Sequence, residues 1–281
     1  MMRELNGHLE LCAVNTATFG FQKPIGEVIE AIAKAGFGGI SPWRREVDGF
    51  DVKAIGKHIR DAGLQVTGYC RSTYLPAQTP ALFTAAVESN YRALDDAAAL
   101  GADSFVIVSG GLPDASKDII AAREQVAEGV ALLCTYANER KIKIALEPLH
   151  PVYANDRSCI NLLSQALDIC DSLNAPNLGV CIDVYHCWWD PNLSRDVTRA
   201  GRDKRIISYH VSDWLSPTTD VLNDRGMMGD GVIELKAFRQ MIESAGYDGL
   251  VEVEIFSTEN WWKKPMVETL GVLKERFVTV V

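Results

Sequence analysis

The sequence predicts an α/β chain folded as one (β/α)8 TIM barrel, with residues 1–281 forming a single domain. Three observations carry this. Eight short runs rich in Val and Ile alternate with eight longer stretches of helical periodicity, the order of a parallel sheet with helical crossovers. Several of the runs lack polar alternation, which is how strands buried on both faces read. The length of 281 residues lies close to the roughly 250 of one barrel, and no low-complexity linker divides it. No GxGxxG follows the first strand, so an open dinucleotide-binding sheet loses its best support.

The strand-like runs, in order, are 9–15 (LELCAVN), 38–42 (GGISP), 64–70 (LQVTGYC), 103–109 (DSFVIVS), 142–147 (IKIALE), 178–183 (LGVCID), 205–211 (RIISYHV) and 249–255 (GLVEVEI). Helical patterns fall at 24–35, 51–62, 80–100, 116–140, 157–173, 192–201, 234–245 and 262–276. Pro24 suits a first helical turn and Asp51 an N-cap. Gly36 and Gly101 stand where a left-handed C-cap turns the chain into the next strand.

Composition excludes several function classes. The net charge is −9, which disfavours nucleic acid and anionic membrane surfaces as partners. Seven cysteines without a CxxC pair read as reduced, buried thiols of a cytoplasmic protein. The N-terminus lacks a long apolar stretch after a basic start, and no run of 18 apolar residues occurs. Neither a signal peptide nor a membrane span is therefore expected.

In this fold the site forms at the C-terminal ends of the strands. Four late strands each bring one ionisable residue there: Glu147 ends the fifth, Asp183 the sixth, and His210 and Glu254 lie near the ends of the seventh and eighth. Alternation along a strand puts Val251, Val253 and Ile255 on one face and Glu252 and Glu254 on the other. It likewise separates Ile144 and Leu146 from Ala145 and Glu147, and Val180 and Ile182 from Cys181 and Asp183. Ser208 and His210 share the parity opposite Ile207, Tyr209 and Val211. The four candidates thus point inward at one rim, where three carboxylates would repel each other unless a divalent cation joined them. The donor set suits Mn2+, placed first, and also Mg2+, Co2+, Zn2+ or Fe2+. Glu252, deeper in its strand, is expected in a polar barrel layer.

The pieces IALEPLHP, CIDVYH, YHVSD, RGMMGDGVIEL and VEVEIF resemble the xylose isomerase-like superfamily, in its sugar phosphate isomerase/epimerase branch. The resemblance covers the whole chain in element order. It implies that Glu147, Asp183, His210 and Glu254 bind the catalytic metal and that Glu147 and Glu254 move protons beside a carbonyl of a sugar or keto-sugar. It also implies that His186, three residues past Asp183, contacts substrate oxygens. Two positions depart from the pattern of many ketose epimerases: Tyr153 stands where a second Glu is common, and Ser216 where an Arg is common. What the chain offers instead is His150 in EPLHP, an imidazole suited to general acid–base work near neutral pH. A similar EPLHP occurs in relatives acting on keto-sugars or inositol-like rings, and in large subunits of complexes that cleave C-glycosides by β-elimination. That lyase activity, or dehydration of a keto-inositol, is the alternative to isomerisation.

Aromatic and basic residues past the strand ends supply the substrate contacts. Tryptophan there stacks on sugar faces or packs at interfaces; Trp43 and Trp188 are the expected sugar contacts, and Trp261 and Trp262 the expected interface residues. Arg71 and Arg225 are expected to bind phosphate or hydroxyls. Gly229-Asp230-Gly231 reads as a turn rather than a phosphate cradle. An endonuclease acting at abasic DNA on the same barrel would need more ligands and a basic groove; five His and a charge of −9 argue against it. A non-catalytic sugar-binding role leaves four inward ligands unexplained. The expected partner is a small carbohydrate, and the expected assembly is a homo-oligomer, with a second small subunit in the lyase alternative.

Overall fold

The computed structural model describes residues 2–281. Its strands are β1 (Cys12–Asn15), β2 (Gly39–Ser41), β3 (Gln65–Val66), β4 (Ser104–Val108), β5 (Lys143–Glu147), β6 (Leu178–Asp183), β7 (Ile206–Val211), β8 (Asp213–Trp214), β9 (Arg225–Gly226) and β10 (Val251–Val253). Eight of them form one parallel sheet in the order β3-β2-β1-β10-β7-β6-β5-β4, and β8 pairs with β9 as a short antiparallel ribbon. Parallel bridges Val66–Ala102 and Tyr69–Phe105 join the two ends of the sheet. Asp103 N donates to Val66 O at 3.0 Å and Val106 N to Tyr69 O at 3.1 Å. The sheet therefore curls shut, and the predicted barrel is the fold. Among the described residues no helix is long and apolar enough to cross a membrane, and all seven cysteines are free and buried.

The alternation that sorts the strand faces also sorts the core. Ile144, Leu146, Val180, Ile182, Tyr209, Val211, Val251 and Val253 lie outside the sheet in one apolar layer with helix residues such as Leu94, Val126, Leu133 and Leu167. Inside, Cys70, Val106, Ala145 and Cys181 form a small cluster. One parity expectation is corrected. In β7 the register slips, so that Val180 pairs with Ile206 but Cys181 with Ser208. This bulge turns Ile207 inward against the inner cluster, while Tyr209 and Val211 keep their outward places.

Gly179 makes room for that turn: a Cβ there would stand 2.2 Å from Arg205 O and 2.8 Å from Ile207 Cδ1. Gly179→Ala is expected to cost about 2 kcal/mol, the range of overpacked cores. Urea unfolding would register it as a lower midpoint.

Helix boundaries follow the sequence signals closely at some ends and not at others. Asp51 caps the helix Val52–Asp61 by accepting from Ala54 N, and Gly36 and Gly101 take φ of 91° and 80° as C-caps. The stretch 157–162 is not helical as expected; the helix is Leu163–Leu173. Residues 157–160 instead fold back over the end of β5. Cys159 N donates to Gly110 O at 2.8 Å and Leu149 N to Ile160 O at 3.0 Å. The last helix, Met266–Thr279, is preceded by a separate turn at Trp261–Lys263. Two four-residue helices, Arg44–Val47 and Val184–Cys187, and the β8–β9 ribbon were not expected; all are shorter than a legible period.

Candidate active site

Strand register brings four side chains to one level. Asp183 pairs with His210, and His210 with Glu252. Glu254, two residues further on, donates its N–H to Val211 O at 3.1 Å, extending the ladder beyond β10. Glu147 ends β5 beside them. One donor atom from each of Glu147, Asp183, His210 and Glu254 falls within 4.8 Å of the others, and all four residues are buried. His210 Nδ1 lies 3.8 Å from Glu147 Oε1 and 3.7 Å from Glu254 Oε2.

The imidazole is oriented for coordination. Its Nε2 faces Ser208 Oγ at 2.9 Å and Glu252 Oε1 at 3.4 Å. Its Nδ1 is buried without any hydrogen-bond partner. A buried polar atom left so costs about 1–3 kcal/mol, and a cation among the three carboxylates would satisfy it. An outer oxygen fixing the far ring nitrogen is the usual support of a metal-bound histidine. Glu252 belongs to that support, as its depth suggested: Asn15 Nδ2 donates to Oε1 and Thr67 Oγ1 to Oε2, both at 2.8 Å.

The carboxylates differ in charge state. Burial, then the charge of Glu254, pushes the Glu147 carboxyl up to about 8. Burial also pushes Glu254 up, but the nearby His210 and the charge of Arg225 outweigh it and hold its carboxyl below the ordinary value. Arg225 Nη1 lies 2.8 Å from Asp183 Oδ2 and 3.4 Å from Glu254 Oε2.

A cation bound here would have to displace the proton that Glu147 holds and that on His210, whose imidazole is held well above its ordinary value, so its apparent affinity should rise with pH. Below about pH 8 the gain is at least about tenfold per pH unit, and it lessens once Glu147 has ionised. Titrating metal-free protein with Mn2+ across this range checks the slope; a flat profile would show that Glu147 is not a ligand.

Above the cluster lies a cavity of about 340 Å3. Its apolar wall is aromatic: Trp43 meets Phe21 and Phe256 edge-on at 5.6 and 5.4 Å, and Phe256 lies 5.9 Å from Trp262. Trp43 is fixed through its Nε1, which donates to Asn15 Oδ1 at 2.8 Å.

Of the expected substrate contacts, Trp43, Arg71, His186 and Arg225 line this cavity. His186 is buried, and burial holds its pKa down at about 3, so the ring is neutral. Its Nε2 faces Arg225 Nη2 at 3.2 Å and accepts from it, which leaves Nδ1 as a donor without a partner.

His150 and Trp188 are not brought to the cavity. Past Glu147 it is Leu149 that faces inward. His150 points away, stacked on Trp214 at 5.0 Å and edge-on to Trp189 at 5.5 Å. Its Nδ1 accepts from Val152 N at 3.2 Å and caps the turn Pro151–Tyr153. The direct acid–base role expected of His150 gives way to ordering this loop. Trp188 caps the short helix Val184–Cys187 and lies 5.8 Å from Trp214.

Trp262, expected at an interface, lines the cavity and donates to Ala17 O at 2.7 Å; Trp261 is buried and donates to Asp230 Oδ2 at 3.2 Å. Tyr153 also lines the cavity, with its hydroxyl donating to Val221 O at 2.6 Å. Phe21, Arg45, Tyr74, Arg157, Asn223 and Phe256 are among the lining residues that the sequence does not single out. Their one shared signal is a place in the loops after strands, which does not distinguish them from neighbours.

The segment RGMMGDG is built around Asp213. Its carboxylate accepts from Trp214 N, Gly229 N, Gly231 N and Ile233 N at 2.9–3.0 Å. Those N–H groups are consumed by the turn, as expected, and cradle no phosphate. The same arrangement pins β9, and with it Arg225.

A family model described as "Xylose isomerase-like TIM barrel" matches residues 29–276. The chain is 27% identical over 224 residues to a ketose 3-epimerase of Arthrobacter globiformis, covering 74% of this chain and 70% of that protein. It is 32% identical over 143 residues to an inosose isomerase of Bacillus licheniformis, covering 50% and 49%. The match thus spans about half the length of that relative. The crystal structure of protein SMc04130 from Sinorhizobium meliloti aligns with a TM-score of 0.95 at 47% identity, over 97% of this chain and 99% of that one.

Proposed function

The chain belongs to the xylose isomerase-like TIM barrel family, and from that premise we propose that it is a divalent-metal-dependent enzyme of the sugar isomerase/epimerase kind. The observation that carries this reading is the buried cluster of Glu147, Asp183, His210 and Glu254, with the unpartnered His210 Nδ1 facing two of the carboxylates. When bound there, a cation such as Mn2+ supplies Lewis-acid polarisation of a carbonyl oxygen.

The chain's own residues do the rest. Glu254, kept ionised by His210 and Arg225, takes the proton beside the carbonyl and returns it to the adjoining carbon, which balances isomerisation. In epimerisation a proton taken up from solvent and delivered by Glu147 from the other side would replace the one Glu254 removed. His186 donates through Nδ1 to a substrate oxygen. Trp43 and Phe256 cover an apolar sugar face and keep water out.

Protein loaded with Mn2+ and incubated with a ketose or an inosose in deuterated water tests the reading. Deuterium is expected beside the carbonyl, together with interconversion of the sugar. No exchange with any sugar in the panel, at full metal occupancy, would overturn it.

A second reading, β-elimination from a keto-sugar, is favoured by one observation. Tyr153 occupies the place where many ketose epimerases carry a second Glu, and burial pushes its phenol up to about 12. A neutral phenol there cannot serve as another carboxylate base. With a 3-keto glycoside, release of the aglycone marks elimination, and interconversion without cleavage marks isomerisation. A native-mass measurement of the same preparation tells a homo-oligomer from a complex with a second small subunit.

A further inference from the structure

Two halves of the barrel contribute different chemistry to the cavity. The late strands β5, β6, β7 and β10 supply the ligand cluster. The loops after β2 and β3 supply Arg45 and Arg71. These two loops are neighbours: Trp43 bridges to Cys70, and Arg44 N donates to Cys70 O at 2.6 Å. Both arginines also border the adjoining groove, which Arg44 and Asp48 line as well, so that its basic residues outnumber its one acid.

Neither is held in an ion pair, although the charge of Arg45 acts on the neighbouring Glu46 carboxyl. Arg225 is engaged with Asp183 and Glu254, and Arg157, on the wall after β5, has Asp156 at 3.8 Å. Among the described residues, neither Arg45 nor Arg71 has a carboxylate within ion-pair distance. Each guanidinium instead lies over an aromatic ring, Arg45 at 4.3 Å from the centroid of Phe21 and Arg71 at 4.6 Å from that of Tyr74. A flat, stacked guanidinium presents several N–H donors along its edge to an oxyanion; in Arg71 one of them, on Nη1, makes a long 3.4 Å bond to Ser72 O. The only carboxylates lining the cavity are Glu147 and Glu254, both in the ligand cluster. In a chain of net charge −9, a cavity lined by four arginines, whose lining carboxylates both belong to the buried cluster, is an electrostatic exception. Such a wall attracts anions and orients them.

We propose that Arg45 and Arg71 form an anion handle, and that the substrate is a keto-sugar carrying a carboxylate or phosphate at the end remote from its reacting carbonyl. This inference rests on the proposed catalytic reading for the carbonyl end only; the handle itself is a binding claim. A volume of about 340 Å3 lies within the range of small-ligand pockets, roughly 300–1,000 Å3.

The test is calorimetric binding of three non-reacting probes, sorbitol, gluconate and inorganic phosphate, to Mn2+-loaded wild type and to the double variant Arg45→Gln/Arg71→Gln. Wild type is expected to bind at least one anion about tenfold or more tighter than sorbitol, with the preference weakening as salt rises. The double variant is expected to lose that preference at unchanged metal content. Gluconate as the tighter anion identifies a sugar acid, and phosphate identifies a sugar phosphate. Equal affinity for sorbitol and both anions, or an anion preference that persists in the double variant and so comes from the metal end, overturns the handle. Because no turnover is measured, failure of the handle and failure of the catalytic reading remain separate results.

Discussion

Glu254→Gln is expected to reduce kcat about 10³-fold or more, with little change in the unfolding midpoint. The substitution keeps the shape of a buried side chain that touches Arg225 Nη1 at 3.4 Å and faces His210 Nδ1 at 3.7 Å. What it removes is the negative charge on which both the ligand set and the proposed proton transfer depend. A second consequence follows from the pairing of the two glutamates. The charge of Glu254 is one of the causes that hold the Glu147 proton in place. Without it, Glu147 ionises at lower pH, so the pH dependence of Mn2+ binding shifts to lower pH even as affinity falls. Elemental analysis, Mn2+ titration and steady-state kinetics on one preparation separate these effects. Full turnover in the variant would remove Glu254 from the mechanism.

Asp213→Ala is expected to be among the most destabilising single changes, at about 3–5 kcal/mol. The carboxylate is buried and accepts four backbone N–H groups. Each N–H left without an acceptor costs about 1–3 kcal/mol, partly recovered by water entering the loosened turn. Asp213→Asn keeps one carbonyl oxygen and should lose about half as much. Because Gly229 holds a φ of 89° within this turn, the segment has few alternative packings once the carboxylate is gone. Urea unfolding of both variants gives the comparison, and a loss under about 1 kcal/mol in the alanine variant would show that the turn holds by other contacts. Loss of the turn also frees β9, so Arg225 should leave Asp183 and Glu254, and Mn2+ binding should weaken in parallel.

The ligand cluster was legible in the sequence because period-two alternation is a local rule. Glu147, Asp183 and Glu254 each end or follow a run whose outward residues are aliphatic, so their inward direction follows from neighbours one position away. Ile207 shows where that rule stops. A bulge is a relation between two strands, and nothing in RIISYHV alone records that Cys181 pairs with Ser208 rather than with Ile207.

The cavity lining failed for a similar reason. His150 looked catalytic because EPLHP places an imidazole three residues past a ligand. Beyond the end of β5, however, direction is set by contacts with Trp189 and Trp214 from other loops. The place of Trp262 in the cavity is likewise not a local property: it is fixed by hydrogen bonds to Ala17 O, 245 residues away in the chain, and to Ile255 O. Helix 157–173 was read too long because the fold-back of 157–160 is paid in backbone bonds to Gly110 and Leu149, which leave no side-chain periodicity.

The bulge in β7 has a bearing on how the chain tolerates change in length. In a regular strand, deleting one residue ahead of His210 would turn its imidazole out of the barrel. Here one residue is already in excess between the pairs Val180–Ile206 and Cys181–Ser208. Removing Ile207 would make the ladder regular and leave His210 opposite Asp183. The strand therefore contains one position at which a codon can be lost without reversing His210 downstream, at the expense of the apolar plug beneath it.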